Sequence, residues 1–257
     1  ANLGGLIGGA SVVPINFHLT AEEVAYILSD SGARLVFIGP ETAERGLEAA
    51  ALAGIDQVIG WRCEIAGLQS WDEWLAASSP EEPDTSIPPR PNLLYTSGTT
   101  GNPKGVVYSH RTTFVHSLAS RAADTFGICE RDQILLLPAM FHANAWGFPY
   151  SGWMSGADMV MPGPHLQGPH LRTMIESARP TLTAMVPTLL GDLLLADETA
   201  PLDLSCFRAI VSGGSAVPSS MIEAVRDRWN VPVIQGWGMT ETSPMCVLSH
   251  PPKDLNG

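Results

Sequence analysis

Short apolar runs that end at glycine or proline recur along this chain, separated by segments whose apolar residues return every three or four positions. The first pattern predicts buried strands and the second amphipathic helices. A short strand is predicted over 11–14, then a helix opened by a capping box of Thr20 and Glu23. Leu19 and Val24 can staple across that box, and Val24, Ile27 and Leu28 make one apolar face. Gly32 predicts the helix stop, 35–38 a buried strand, and a helix near 41–50 and strand at 57–59 repeat the theme. Residues 78–91 read SSPEEPDTSIPPRP, five prolines among acidic spacers, and predict an exposed connector.

The second half is more regular. Strands are predicted at 157–161, 181–186, 208–212 and 232–235, alternating with helices near 169–178, 187–196 and 218–229. Pro187 and Pro218 sit where a first-turn proline is tolerated. This rhythm predicts an α/β fold of two parallel-sheet lobes covered by helices. The lobes are expected to divide as 1–137 and 138–257. Ligands of such sheets sit beyond the carboxyl ends of the strands. Those ends read Pro162-Gly163, Pro187, Gly213-Gly214 and Gly236-Trp237-Gly238. Glycine there suggests backbone approaching a ligand closely, with a simple turn as the alternative.

Composition narrows the class. The 257 residues are 45% hydrophobic and carry a net charge of −12, so the chain is globular and unsuited to general nucleic-acid binding. Lys104 and Lys253 are its two lysines, which singles each out. Cys63, Cys129, Cys206 and Cys246 are far apart, with no CxxC or Cys/His spacing, so neither a zinc site nor a disulfide framework is expected. The expected setting is reduced and cytoplasmic. Residues 1–14 are apolar but glycine-rich and do not read as a signal peptide. No run of about 18 apolar residues offers a membrane span. The start inside a helical pattern and the end at Asn256-Gly257 are expected to be those of a fragment.

The segment richest in chemistry is YTSGTTGNPKGVV at 95–107. From Thr96 to Asn102 every position is a hydroxylated, glycine or amide residue, following the apolar strand 93–95. Glycines free backbone N–H groups to face an anion, the hydroxyls add donors, and Lys104 adds a point charge, an outfit for phosphates. The spacing is not that of a Walker A loop, and 106–108 reads as a returning strand rather than a helix.

This segment resembles the signature phosphate loop of the adenylate-forming enzymes, which include acyl- and aryl-CoA synthetases, luciferases and the adenylation domains of peptide synthetases. GGSAVP at 213–218 and QGWGMTE at 235–241 are similar to the family's adenine- and Mg-binding segments, in the same order. PAMFHANAWGFPY at 138–150 resembles the gate region of long-chain fatty acyl-CoA synthetases. The resemblance runs from about residue 10 to 250.

It implies an ATP site between the lobes. Thr96, Ser97, Gly98, Thr99, Thr100, Gly101 and Lys104 would hold phosphates. Gly213, Gly214, Ser215, Gln235, Gly236, Trp237 and Gly238 would receive the nucleotide, with Trp237 offering a flat face to the purine. Thr240 would hydrogen-bond the α-phosphate. Glu241 and the hydroxyl of Thr96 would ligate Mg²⁺, an ion that takes one or two carboxylates plus substrate phosphates. His142 would lie beside the acyl carboxylate and Trp146 would close the acyl tunnel. From the residues alone, a core histidine and plain packing remain the alternatives for these two, as a core aromatic does for Trp237. His18, His110, His116, His165, His170 and His250 show no ligand spacing and receive no role.

The implied reaction is two-step, with Lys104, His142, Thr240 and Glu241 at the catalytic centre. A carboxylic acid and ATP give acyl-adenylate, and coenzyme A then displaces AMP. The implied partners are a fatty acid or related carboxylic acid, ATP and coenzyme A. Peripheral membrane contact and a homodimer stay open. Full-length family members also carry a small mobile C-terminal lid domain. Its lysine and ribose-binding aspartate have no match here, so the expectation is a synthetase core that is inactive alone. Two alternatives remain, an adenylating domain that loads a carrier protein and a non-catalytic nucleotide-binding homologue.

Overall fold

The capping box read at Thr20 forms: the Glu23 N–H donates to Thr20 Oγ1 (3.3 Å) and the Thr20 N–H to Glu23 Oε2 (2.8 Å). It opens the second helix of the computed structural model, which describes residues 2–84, 86–96, 101–163, 166 and 168–250. Ser97, Gly98, Thr99 and Thr100 of the predicted phosphate loop therefore lie outside the described residues, as do His165 and Lys253. The chain forms two compact units, Ala1–Ser109 and His110–Gly257.

In the first unit α1 (Asn2–Ile7) precedes α2 (Ala21–Asp30), β1 (Val36–Ile38), α3 (Ala43–Leu52), β2 (Val58–Gly60), β3 (Gln69–Ser70) and α4 (Trp71–Ala76). Strands β1, β2 and β3 form a parallel sheet in that order. Ala21, Ala25 and Leu28 of α2 and Ala49 and Ala50 of α3 bury against Val36, Ile38 and Val58. The expected strand over 11–14 does not form; the stretch is irregular, and Leu93 N–H donates to the Val12 carbonyl (3.1 Å). Pro14 has no N–H to extend such a ladder. The described residues of 78–90 are exposed, as their prolines and charges predict. Strands β4 (Asn92–Tyr95) and β5 (Gly105–Tyr108) then pair antiparallel, so 106–108 does return as a strand.

The second unit runs α5 (His110–Arg121), β6 (Gln133–Leu136), α6 (Ala143–Trp146, a left-handed turn), α7 (Phe148–Ser155), β7 (Asp158–Val160), α8 (Gly168–Ala178), β8 (Leu182–Met185), α9 (Pro187–Thr199), β9 (Ala209–Gly213), α10 (Ser219–Trp229), β10 (Val233–Gly238) and β11 (Met245–Ser249). Its six-stranded sheet has the order β11-β10-β9-β8-β6-β7, parallel except for the β10–β11 pair. Leu171, Leu190, Leu193 and Val225 of the helices cover one face with Leu135 and Ile210. Phe126, Ile128, Trp146 and Phe148 cover the other with Ile134, Leu136 and Val211.

That sheet moves the boundary expected at 137. Strand β6, expected with the first lobe, lies between β7 and β8, and the division falls between Ser109 and His110. The reason is burial on both faces: Leu135 enters one core while Ile134 and Leu136 enter the other. A continuous apolar run of this kind belongs to an interior parallel strand.

Candidate active site

In the first unit β4 and β5 pair with Tyr95 opposite Gly105, which brings Thr96 and Lys104 of the sequence YTSGTTGNPKG together. The Thr96 N–H donates to the Lys104 carbonyl (3.1 Å), and the Lys104 N–H donates to Thr96 Oγ1 (3.3 Å). These bonds clasp the loop ends and leave the Thr96 hydroxyl a proton and a lone pair. The Lys104 side chain is exposed, available to an anion. Tyr95 braces the stem by donating its hydroxyl to Asp30 Oδ2 (2.7 Å). Burial and that carboxylate push the phenol well above the usual tyrosine pKa. Gly105 admits the ring, since a Cβ there would stand 3.2 Å from Tyr95 Cζ.

In the second unit a cleft opens at the carboxyl ends of the parallel strands. His142, Trp146, Gly213, Gly214, Gly236, Gly238 and Thr240 line it, joined by Ala143, Met239, Pro244 and Met245. Seven residues singled out by sequence thus meet at one place. The glycines serve the protein's own backbone first. A Cβ on Gly213 would stand 2.4 Å from the Gly236 carbonyl oxygen, and one on Gly238 would stand 2.1 Å from the Pro244 oxygen. Close approach is real, but here the partner is the neighbouring strand or loop rather than a ligand. The loop after β10 is knit by the Met239 N–H, which donates to the Pro244 carbonyl (3.0 Å) and to Thr242 Oγ1 (2.9 Å). A 3-10 turn at Thr240–Thr242 sets Thr240, half-buried, on the cleft wall.

Ser215, Gln235, Trp237 and Glu241 are outside that lining. Trp237 is 53% exposed, so it is not a core aromatic and its face is free to stack. Glu241 presents an exposed carboxylate on the loop. Among the described residues no group of three or more His, Cys, Asp or Glu could hold a metal alone. A Mg²⁺ at Glu241 would draw its other ligands from water, a hydroxyl and substrate phosphates, which suits that ion's preference for few protein carboxylates.

The wall that carries His142 has an unusual backbone. Ala143, Asn144, Ala145, Trp146 and Gly147 all have positive φ, between 47° and 79°. Four of them carry side chains, each at a cost of roughly 1–2 kcal/mol. Burial holds the turn: Trp146 is 7% exposed and packs with Phe148, Phe126 and Leu136. Trp146 is therefore both cleft wall and core residue, whereas a gate is expected to be only partly buried. His142, at the rim, donates its N–H to the Ala139 carbonyl (2.9 Å). The residue is exposed by surface area, but partial desolvation of its ring lowers the imidazole pKa below the usual histidine value. At neutral pH the ring is then uncharged, able to donate at one nitrogen and accept at the other.

A family model described as AMP-binding enzyme matches residues 1–257. The chain belongs to the AMP-binding enzyme family. It is 38% identical to the 3-methylmercaptopropionyl-CoA ligase of Ruegeria pomeroyi, over 95% of this chain and 48% of that protein. It is 37% identical to the long-chain-fatty-acid–CoA ligase of Thermus thermophilus, over 93% of this chain and 44% of that one. The inhibitor-bound N-terminal domain of FACL13 from Mycobacterium tuberculosis matches with a TM-score of 0.81 at 31% identity, covering 93% of this chain and 59% of that chain. The chain spans about half the length of the curated relatives it matches.

Within this AMP-binding enzyme, sequence reasoning missed Ala143, Met239, Pro244 and Met245 in the cleft wall. Met239 sits inside a motif that was read, so its position was available as a signal. Pro244 and Met245 come with β11, a strand whose pattern is too short to stand out. Sequence reasoning also gave no role to His116, on α5. Its ring lies against Gly147, where a Cβ would stand 2.5 Å from Cε1, and its Nε2 is buried without a hydrogen-bond partner among the described residues.

Proposed function

We propose that this chain is the nucleotide-binding core of an AMP-forming acid–thiol ligase, an acyl-CoA synthetase acting on a fatty or related carboxylic acid. The observation that carries the reading is the cleft: His142 and Trp146 from the gate-like segment share one wall system with Gly213, Gly214, Gly236, Gly238 and Thr240 from the two nucleotide motifs. That shared lining supports carboxylate chemistry and nucleotide recognition at one sheet edge. The matched relatives are named for a methylmercapto acid and for a long-chain fatty acid, which supports the acid class and leaves chain length to experiment.

In the first step a carboxylate oxygen attacks the α-phosphorus of ATP and pyrophosphate leaves. In the second, the thiol sulfur of coenzyme A attacks the acyl carbonyl, AMP leaves, and the thiol proton passes to solvent. Lys104 and the loop amides and hydroxyls from Thr96 to Gly101 hold the β- and γ-phosphates, stabilising charge that builds on the leaving group. The Thr240 hydroxyl donates to the α-phosphate. Neutral His142 orients the carboxylate by hydrogen bonding without adding a cation that would blunt its nucleophilicity. Trp237 stacks on the adenine, and the backbone around Gly213 to Ser215 and Gln235 to Gly238 shapes the base and ribose pocket. Glu241 and Thr96 Oγ1 would hold Mg²⁺, which when bound neutralises phosphate charge. Trp146 closes the acyl pocket.

The test is ATP–pyrophosphate exchange by the protein as encoded, with carboxylates of graded length, followed by thioester formation on adding coenzyme A. Exchange that depends on the acid, followed by acyl-CoA formation, is the expected result. Nucleotide binding without exchange for any acid would replace the enzyme reading with a binding one. Thioester formation only on a carrier protein would change the acceptor.

A further inference from the structure

Asp30 stands where a helix is least helped by a carboxylate. It is the last residue of α2, and no basic side chain accompanies it in the final turn. Helix carbonyls concentrate partial negative charge at that end, so an acid there opposes the macrodipole. A residue that breaks a local rule calls for a compensating role elsewhere. Asp30 has a partner 65 positions along the chain: the Tyr95 hydroxyl donates to its Oδ2 at 2.7 Å.

What the carboxylate holds is the root of the segment read as a phosphate loop. Tyr95 ends β4 and pairs with Gly105, the first residue of β5. Its ring lies against that glycine, where a Cβ would stand 3.2 Å from Cζ and 3.3 Å from the hydroxyl oxygen. One ring therefore joins β4, β5 and α2. Thr96 follows Tyr95 directly, Lys104 precedes Gly105, and the two are tied through the Thr96 N–H to the Lys104 carbonyl and the Lys104 N–H to Thr96 Oγ1. A shift of Tyr95 would carry both with it.

We infer that Asp30 is a positioning residue for phosphate binding: through the Tyr95 ring it fixes the β4–β5 pair to α2 and so holds Thr96 and Lys104 in place before the phosphates arrive. This inference rests on the phosphate role given to Thr96 and Lys104 above. Groups already held need no ordering when the anion binds, whereas a root free to drift must be ordered by the ligand, which weakens binding. Asp30 acts only through Tyr95, so its loss should be felt at the phosphates and not at the base or the acid. Stability should follow a different course. Asp30→Ala removes a charge that the helix end disfavours, so the melting temperature should change little while phosphate binding weakens.

The experiment uses the protein as encoded and compares the parent with Tyr95→Phe, Asp30→Ala, Asp30→Asn and the Asp30→Ala/Tyr95→Phe double variant. Inorganic tripolyphosphate and adenosine are titrated as separate probes of the phosphate and base ends of the site. Pyrophosphate exchange gives the KM for ATP and for the acid. Asp30→Ala and Tyr95→Phe should each weaken tripolyphosphate binding and raise the ATP KM by roughly 3- to 10-fold, the size of one hydrogen bond. Adenosine affinity and the acid KM should stay at parental values. The double variant should be no worse than either single one, because both remove the same bond. Asp30→Asn keeps an acceptor and should recover most of the loss. An unchanged tripolyphosphate-to-adenosine ratio in folded Asp30→Ala overturns the inference; a lowered melting temperature beside it makes the bond merely structural. Additive losses in the double variant overturn it as well, as does a parent that binds no tripolyphosphate. A parent without acid-dependent exchange removes the ligase reading alone, since the tripolyphosphate titration still decides the role of Asp30. If Tyr95→Phe fails to fold, Asp30→Ala and Asp30→Asn carry the test.

Discussion

Arg208 grips Asp132 with two hydrogen bonds, Nε to Oδ1 at 2.7 Å and an Nη to Oδ2 at 2.8 Å. The same carboxylate accepts from the Thr181 hydroxyl (2.7 Å) and the Cys129 N–H (3.0 Å). One buried group thus ties together the amino ends of β6, β8 and β9, opposite the cleft. Burial raises the Asp132 pKa, but the bonds from Arg208, Cys129 and Thr181 outweigh it and hold the carboxyl below the usual aspartate range.

Asp132→Ala should therefore destabilise the protein by about 2–4 kcal/mol, somewhat below the loss for a fully buried ion pair, because the Arg208 side chain is 39% exposed. The sign with pH follows from the lowered pKa. The contribution is complete above the unfolded aspartate value near 4 and is lost as pH falls through the folded one. Urea denaturation of parent and variant at pH 7 and in acid checks both parts. A stability gap that does not shrink in acid would contradict the charge-based account.

Gly213→Ala places a methyl group 2.4 Å from the Gly236 oxygen, between strands paired in register at that position. Backbone on both sides leaves no flexible group to yield, so a loss of about 1–3 kcal/mol is expected. Nucleotide affinity should fall together with stability, because the same shift opens the cleft wall. Denaturation and ATP-binding titrations read the two effects, and a variant as stable as the parent would show that the strands have slack.

Glu241→Gln should leave the melting temperature unchanged, because the side chain is exposed. An amide cannot supply an anionic ligand, so more Mg²⁺ should be needed for half-maximal acyl-adenylate formation. Equal Mg²⁺ dependence in parent and variant would move the metal elsewhere.

Trp146→Ala should cost about 3–5 kcal/mol, because the ring is 7% exposed and belongs to the core. If the same ring also bounds the acyl pocket, the chain-length profile of the milder Trp146→Phe should broaden towards longer acids. Thermal unfolding of the first variant and substrate profiles of the second separate the roles. A destabilised protein with an unaltered profile would reduce Trp146 to packing.

Much of this was legible in advance because it is local. Capping boxes, glycine stops and apolar runs act over a few residues, so the strands later found at Leu182–Met185, Ala209–Gly213 and Val233–Gly238 and their intervening helices were placed within a residue or three. The antiparallel pairing of β4 and β5 was also readable, from the strand returning after Lys104. His142 and Thr240 were read as site residues from motifs that had to converge somewhere, and the cleft contains both.

By itself the sequence determined most of the helices and strands and the α/β class, since short-range patterning encodes both, and its motifs nominated the candidate site residues. Only the tertiary structure decided the strand order and the division after Ser109, because pairing partners such as Leu135 and Thr183 are distant in the chain. It alone put four non-glycine residues into a left-handed turn at 143–146, a conformation no local propensity favours and which the burial of Trp146 and Phe148 sustains. It also gave the glycines their partners, with Gly213 against Gly236. The fate of His116 was decided there too: a helical histidine without a motif becomes a buried nitrogen with no hydrogen-bond partner among the described residues only when α7 packs against α5.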